Sequence, residues 1–163
     1  MKSLPWKRMV VRQRWLRVAT AAVVCLGVTP GFASLGGALG TVLEDQQQMR
    51  ATISVKEAGE FSVHEMKTPN GVVVREYVSA AGRVFGVAWE GPFLPDFHQI
   101  LGDRFTAYAL AAKAQRDSHT GREPLNIRES NLFLQSAGHM RAFYGRAFDP
   151  ELLPTGVSAN VVR

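Results

Sequence analysis

Between residues 50 and 90 apolar and polar positions alternate with a period of two. Ala51, Ile53 and Val55 are interleaved with Thr52, Ser54 and Lys56, and Phe61 and Val63 with Ser62 and His64. This is the pattern of strands buried on one face. Pro69 presets its backbone angle in the turn Thr68-Pro69-Asn70-Gly71, and Gly71 can take the left-handed conformation that closes a bulged hairpin. A strand over residues 72–79 follows. The segment Ser79-Ala80-Ala81-Gly82 repeats the turn chemistry, and a strand over residues 83–90 places Phe85, Val87 and Trp89 on one face. Three or four antiparallel strands in a meander are expected.

After Gly91-Pro92 the period changes. Asp96 is placed to cap a helix, with Gln99 three residues on. Phe97, Ile100, Leu101, Phe105, Tyr108 and Ala112 then recur at helical spacing as one apolar stripe. Gly102 costs such a helix about 1 kcal/mol relative to alanine. Residues 116–124 read as an exposed loop, and residues 131–135 and 140–148 flank Ser136-Ala137-Gly138-His139 as a second hairpin. Upstream, Thr41-Val42-Leu43-Glu44 has the form of a capping box that opens a short helix to about Met49, behind a loose glycine-rich stretch over residues 34–40. The expected fold is α+β: an antiparallel β-meander plus a C-terminal β-hairpin packed against one long α-helix, preceded by a signal peptide.

The division expected is a signal peptide over 1–33, a loose leader and short helix over 34–49, a single α+β domain over 50–154 and a tail over 155–163. The first segment carries Lys2, Lys7, Arg8, Arg12, Arg14 and Arg17 and no acid, then an apolar run over residues 18–28, then Gly31 and Ala33 at the small positions before a cut. That order marks a secretory signal cleaved after Ala33, with a second candidate cut after Ala38. The run would cover only about 16 Å as a helix, too little for a hydrocarbon core of roughly 30 Å. Met9 could be the true start, with the same mature chain. Cys25 lies inside the apolar run with Val23 and Val24 before it, which argues against lipidation. No arginine pair precedes the run, which points to the general secretory route.

Cleavage changes the chemistry on offer. The whole chain of 163 residues carries a formal charge of +5, but residues 34–163 hold 13 basic and 14 acidic side chains. A nearly neutral domain lacks the field that nucleic-acid binding needs. Removing Cys25 leaves no thiol for disulfides, nucleophilic catalysis or metal ligation. His64, His98, His119 and His139 do not fall at metal-ligand spacings. No nucleophile elbow, phosphate loop or dinucleotide fingerprint is present. The densest polar constellation is Asp96, His98 and Asp103. It supports a general base or metal ligand steered by a carboxylate, against the plainer reading of Asp96 as helix cap with His98 on the polar side. Glu57, Glu60 and Glu65 read as solvated charge at strand edges and turns, and Arg141 and Arg146 as surface residues covering Phe143 and Tyr144. Trp89, Phe93, Phe97, Phe105 and Tyr108 converge on the junction between strand and helix; core packing explains most of them, and one or two left exposed, with Trp89, Phe93 and Phe97 as the candidates, would form an apolar groove.

The text NGVVVREYVSAAGRVFGVAWEGPFLPDFHQILGDRF, with Tyr77, Trp89, Pro92, Pro95, Asp96 and Gly102 in order, and the later SAGHMRAFYGRAFDPELLP resemble the bacterial exported family catalogued as domain of unknown function 2844. The resemblance runs from about Ala33 to Pro154. It implies a small secreted or periplasmic protein and assigns no activity, cofactor or catalytic residue. The function expected is a non-catalytic periplasmic or secreted module that binds another envelope or exported protein, through the aromatic junction or an unpaired sheet edge. No cofactor, no nucleic acid and no stable membrane span after cleavage are expected. The alternative is a small hydrolase or metal-dependent enzyme centred on Asp96 and His98. A third reading is a carrier for an apolar ligand, which needs a closed cavity.

Overall fold

The computed structural model describes residues 35–118 and 123–163. The expected signal peptide, its cleavage after Ala33 and His119 lie outside the described residues. The fold is α+β: one seven-stranded antiparallel sheet and one long helical segment over residues 97–117. The expected meander is β1 (Thr52–Glu57), β2 (Phe61–Lys67), β3 (Val73–Ser79) and β4 (Val84–Gly91). The second hairpin is β6 (Leu132–His139) with β7 (Ala142–Phe148), and β7 pairs with β4, so the order is β1-β2-β3-β4-β7-β6-β5. The outermost strand β5 (Leu125–Glu129) is absent from the expectations above. Its signal is the alternation of Leu125 with Ile127, only two apolar positions long.

β4 sits in the middle of the sheet, and every residue from Val84 to Trp89 is buried. Such a strand needs cover on both faces. One cover is helical. α1 (Leu39–Gln48), α2 (Phe97–Leu101) and α3 (Phe105–Asp117) lie over Met66, Val74, Val87, Trp89, Leu134 and Ala147, with Val42, Phe97, Ile100 and Leu101 buried against them. The other cover is the C-terminal stretch. Leu152, Leu153, Val157, Val161 and Val162 pack on Tyr77, Phe85, Phe133 and Phe148. Residues 155–163 are therefore a strap rather than a free end. Val162 is fully buried and comes so close to Gly86 that a Cβ there would lie 2.7 Å from it. The Tyr77 hydroxyl donates to the Arg163 carbonyl at 2.6 Å and accepts from its amide at 3.0 Å.

Five local expectations are corrected. Phe85 does not share a face with Val87 and Trp89. The β3–β4 register shifts between Tyr77 and Val78, where two steps on β4 oppose one on β3, and the extra residue puts Phe85 under the strap. The helix is interrupted at Gly102, whose φ of 51° ends α2 before a short 3₁₀ turn leads into α3. Glycine is the residue that takes this angle without strain. The second hairpin turns at Met140 and Arg141, both at positive φ, rather than at residues 136–139. A two-residue turn matches the strand twist and lets the ladder run to His139 and Ala142.

Residues 35–38 are not loose. Gly36 donates to Val84 at 2.8 Å, Val84 donates to Gly37 at 2.9 Å, and Leu35 is buried. That pairing also moves the helix start. α1 begins at Leu39, with Leu39 donating to Gly82, and Thr41 sits inside the first turn with its hydroxyl on the Ala38 carbonyl. Among the described residues no helix is long and apolar enough to cross a membrane.

Candidate functional site

The three aromatic residues expected at the junction separate in space. Trp89 and Phe97 are 2% and 7% exposed and pack edge to face in the core at 5.0 Å, whereas Phe93 is 45% exposed. Tyr108 stacks on Phe97 at 4.4 Å and carries the contact to α3. Only Phe93 of the three can meet a partner. The Arg141 guanidinium lies 5.7 Å from its ring centroid, in cation–π range. Leu94, Met140 and Tyr144 are exposed large apolar residues of the same region. Leu94, Tyr108, Phe143 and Tyr144 line a groove of about 760 Å³ between α3 and the β6–β7 hairpin, with Arg116 and His139 on its wall.

Asp96 is the helix cap. Its Oδ1 accepts the backbone N–H of His98 at 2.9 Å and of Gln99 at 3.4 Å. Both side chains are exposed, and the His98 ring lies 5.0 Å from that of Phe105. Asp103 is exposed on the 3₁₀ turn. Capping explains Asp96 without catalysis, because its carboxylate satisfies amides that the first helical turn leaves without partners. Among the described residues no group of three or more His, Cys, Asp or Glu side chains is placed to hold a metal ion. Glu65 lies on the strap side of the sheet, 2.8 Å from the Arg75 Nε.

The polar cluster that the sequence reading did not single out is buried under α1. Glu76 on β3 and Asp45 on α1 are both fully buried, and Gln99 on α2 donates its Nε2 to Asp45 at 2.7 Å. Among the described residues no N–H or hydroxyl donor reaches either oxygen of Glu76, and the ionisable group beside it is the Asp45 carboxyl. Two buried ionised carboxylates repel each other and can only accept, so their proximity favours a proton on the pair. Burial, then the Asp45 charge, then the hydrogen bond to Asp45 hold Glu76 well above the ordinary carboxylate range. That direction favours the protonated form of Glu76, while Gln99 donates to one Asp45 oxygen. His64 faces Glu76 across β2 and β3, and burial lowers its pKa, partly offset by Glu57.

Both acids carried a sequence signal. Glu76 has the same strand parity as Val74, and Asp45 falls on the buried stripe between Val42 and Met49. The pair is a buried carboxyl contact between α1 and the sheet. A cleft of about 350 Å³, lined by Met49, Thr68, Asn70, Val74 and Gln99, reaches Gln99 but neither acid.

These features define an α+β protein built on one antiparallel sheet, with a helical layer on one face and a C-terminal strap on the other. The chain belongs to the family described as Protein of unknown function (DUF2844), which matches residues 31–162. No curated protein and no solved structure matches the chain.

Proposed function

We propose that this is an exported, non-catalytic module that binds an extended segment of another envelope or exported protein in the groove between α3 and the β6–β7 hairpin. The observation that carries this reading is the exposure of Leu94 and Tyr144 on the groove lining, with Phe93 and Met140, each next in sequence to a lining residue, exposed as well. Large apolar side chains gathered beside a concave surface mark interaction sites more often than solvated surface. Arg116 lines the groove with Tyr108, Arg141 lies over the Phe93 ring, and Glu123 is the acid on the groove wall. The occupant that fits is a segment with an apolar or aromatic anchor flanked by acidic residues.

Export is supported by the charged start, short apolar run and small residues before the Ala33 bond. Leu35 in the core and the backbone bonds of Gly36 and Gly37 favour a cut after Ala33 over one after Ala38, which would remove them. N-terminal sequencing of the protein recovered from the envelope is expected to begin at Ser34. A chain that retained Met1 or Met9 there would overturn the exported half of the reading.

A photo-crosslinking residue at position 93 should capture an acidic, apolar-anchored segment of one partner. Phe93→Asp should weaken binding of that purified segment at least tenfold, about 1.4 kcal/mol. Its effect on stability should stay within about 0.5 kcal/mol, as for an ordinary surface substitution. Equal affinity of Phe93→Asp and wild type would end the assignment of this groove.

A further inference from the structure

The strap covers only part of its face of the sheet. Beside it lies a second groove of about 510 Å³, floored by a polar row that runs from Arg75 on β3 to Arg146 on β7, Gln135 on β6 and Asn126 on β5. Arg75 is neutralised there: it donates to Glu65 at 2.8 Å and to Glu90 at 2.6 Å. Arg146 is not. Its Nε and Nη2 donate to the Gln135 Oε1 at 3.0 and 2.9 Å, and its Nη1 to the Val162 carbonyl at 3.3 Å. Gln135 is itself fixed by donating to the Asn126 Oδ1 at 3.1 Å, and the guanidinium lies 5.7 Å from the centroid of Phe133.

A guanidinium has five N–H groups. Three are spent on neutral oxygens, two are left, and no carboxylate of the described residues lies within ion-pair distance. The result is a half-buried, rigidly held cation that opens into a groove with its charge uncompensated.

We propose that Arg146 anchors a carboxylate-binding site on this face, taking an acid group carried on an apolar or aromatic body. The two remaining N–H groups suit the two oxygens of a planar carboxylate. Arg163 adds a second positive charge on the groove wall, and Glu90 in the same groove opposes a dianion. Tyr144, Ala137 and Pro124 supply the apolar wall, and the volume is that of a small-molecule or side-chain pocket. The site stands apart from the Phe93 groove, although Tyr144 borders both.

The test is an amide-resolved NMR titration of the mature protein with phenylacetate, its neutral amide, and a short peptide ending in phenylalanine with a free or an amidated C-terminus. Both acids are expected to shift residues 135–137 and 144–146 saturably, and neither amide to do so. Arg146→Gln should weaken phenylacetate at least tenfold. Arg146→Lys, which keeps the charge and loses the fork, should weaken it several-fold. Because Arg146 also holds the strap, the Val162 amide is followed in each variant. Tyr144→Ala, at an exposed position, provides an independent loss of affinity without touching that bond.

Tighter binding of the free-acid peptide identifies a protein terminus as the source of the carboxylate, and equal affinity a small acid. Phe93→Asp should leave the titration unchanged. Equal binding of acid and amide, no saturation with either acid, or undiminished affinity in Arg146→Gln would overturn the proposal.

Discussion

Glu76→Gln is expected to stabilise the protein, and to do so more as the pH rises. In the wild type, Glu76 keeps a proton in the folded state that the unfolded chain releases near its ordinary value of 4.5. Above that value the folded state binds more protons than the unfolded one, so stability falls with rising pH. The contribution of this group is complete below about 4.5 and is lost as the pH climbs through the raised folded value. For one proton the loss is at most about 1.4 kcal/mol per pH unit.

His64 acts in the opposite sense. Its folded pKa lies below 6.5, so the unfolded chain takes up the extra proton and stability falls as the pH drops through that region. The two effects oppose each other between about 4.5 and 6.5, and only Glu76 remains above about 6.5. A glutamine at position 76 supplies an N–H to Asp45 at every pH and needs no proton. Chemical denaturation at rising pH above about 6.5 should therefore show a falling stability for wild type until Glu76 has lost its proton, and a flatter profile for Glu76→Gln, with a gain on the order of 1–3 kcal/mol once that carboxyl is ionised. Asp45→Asn should flatten the profile as well, because either amide removes the need for a shared proton. Parallel profiles for wild type and Glu76→Gln would show that the proton is not held at Glu76.

Most of the strand layout was legible because the alternation between residues 50 and 90 is a local signal that each strand carries for itself. What the alternation could not convey was pairing between distant segments. The β4–β7 ladder joins the meander to the C-terminal hairpin, and nothing in Val84–Gly91 names Ala142–Phe148 as its neighbour. The strap was hidden for a related reason. Residues 155–163 are short, contain glycine and proline neighbours and lack a repeating period, so they resemble a free end. The hint lay elsewhere, in a β4 sequence apolar at both parities, which demands a second cover.

The candidate aromatic site was legible in part for the same physical reason. Trp89, Phe93 and Phe97 are one chemical type at close spacing. Their burial is decided by strand parity and helix phase, which keep Trp89 and Phe97 inside and leave Phe93 on the connecting turn. Glu76 and Asp45 were passed over because charged residues are rarely buried without an opposite charge, and the proton that makes the exception possible does not appear in a sequence.

The largest loss of stability is expected from Arg104→Met. Arg104 stands on the turn that follows Gly102, and its guanidinium reaches three separate segments. It donates to the Leu35 carbonyl at 2.8 Å, to the Asn131 carbonyl at 3.1 Å and to the Asp149 carboxylate, whose side chain is only 3% exposed. One cation thus ties the first described residues, the β5–β6 turn and the start of the strap to the helical layer. Methionine keeps much of the apolar stem but leaves the Asp149 charge buried without a cation, a change that costs about 3–5 kcal/mol. Against a total stability of about 5–15 kcal/mol for a domain of this kind, that is a large fraction, and urea denaturation should resolve it.

Arg104→Lys should fall between the two, since it restores a charge but not the fork. Pairing Arg104→Met with Asp149→Leu should recover part of the loss, because the unpaired anion is removed. Hydrogen exchange should show residues 35–38 and 150–162 opening first, as the segments whose anchor is gone. A loss below about 1 kcal/mol would mean that Arg104 is an ordinary surface cation. The same variant bears on the groove across the sheet. The Val162 carbonyl that helps hold Arg146 is part of the strap that starts at Asp149, so a loosened strap should weaken phenylacetate binding even though Arg104 lines no part of that groove.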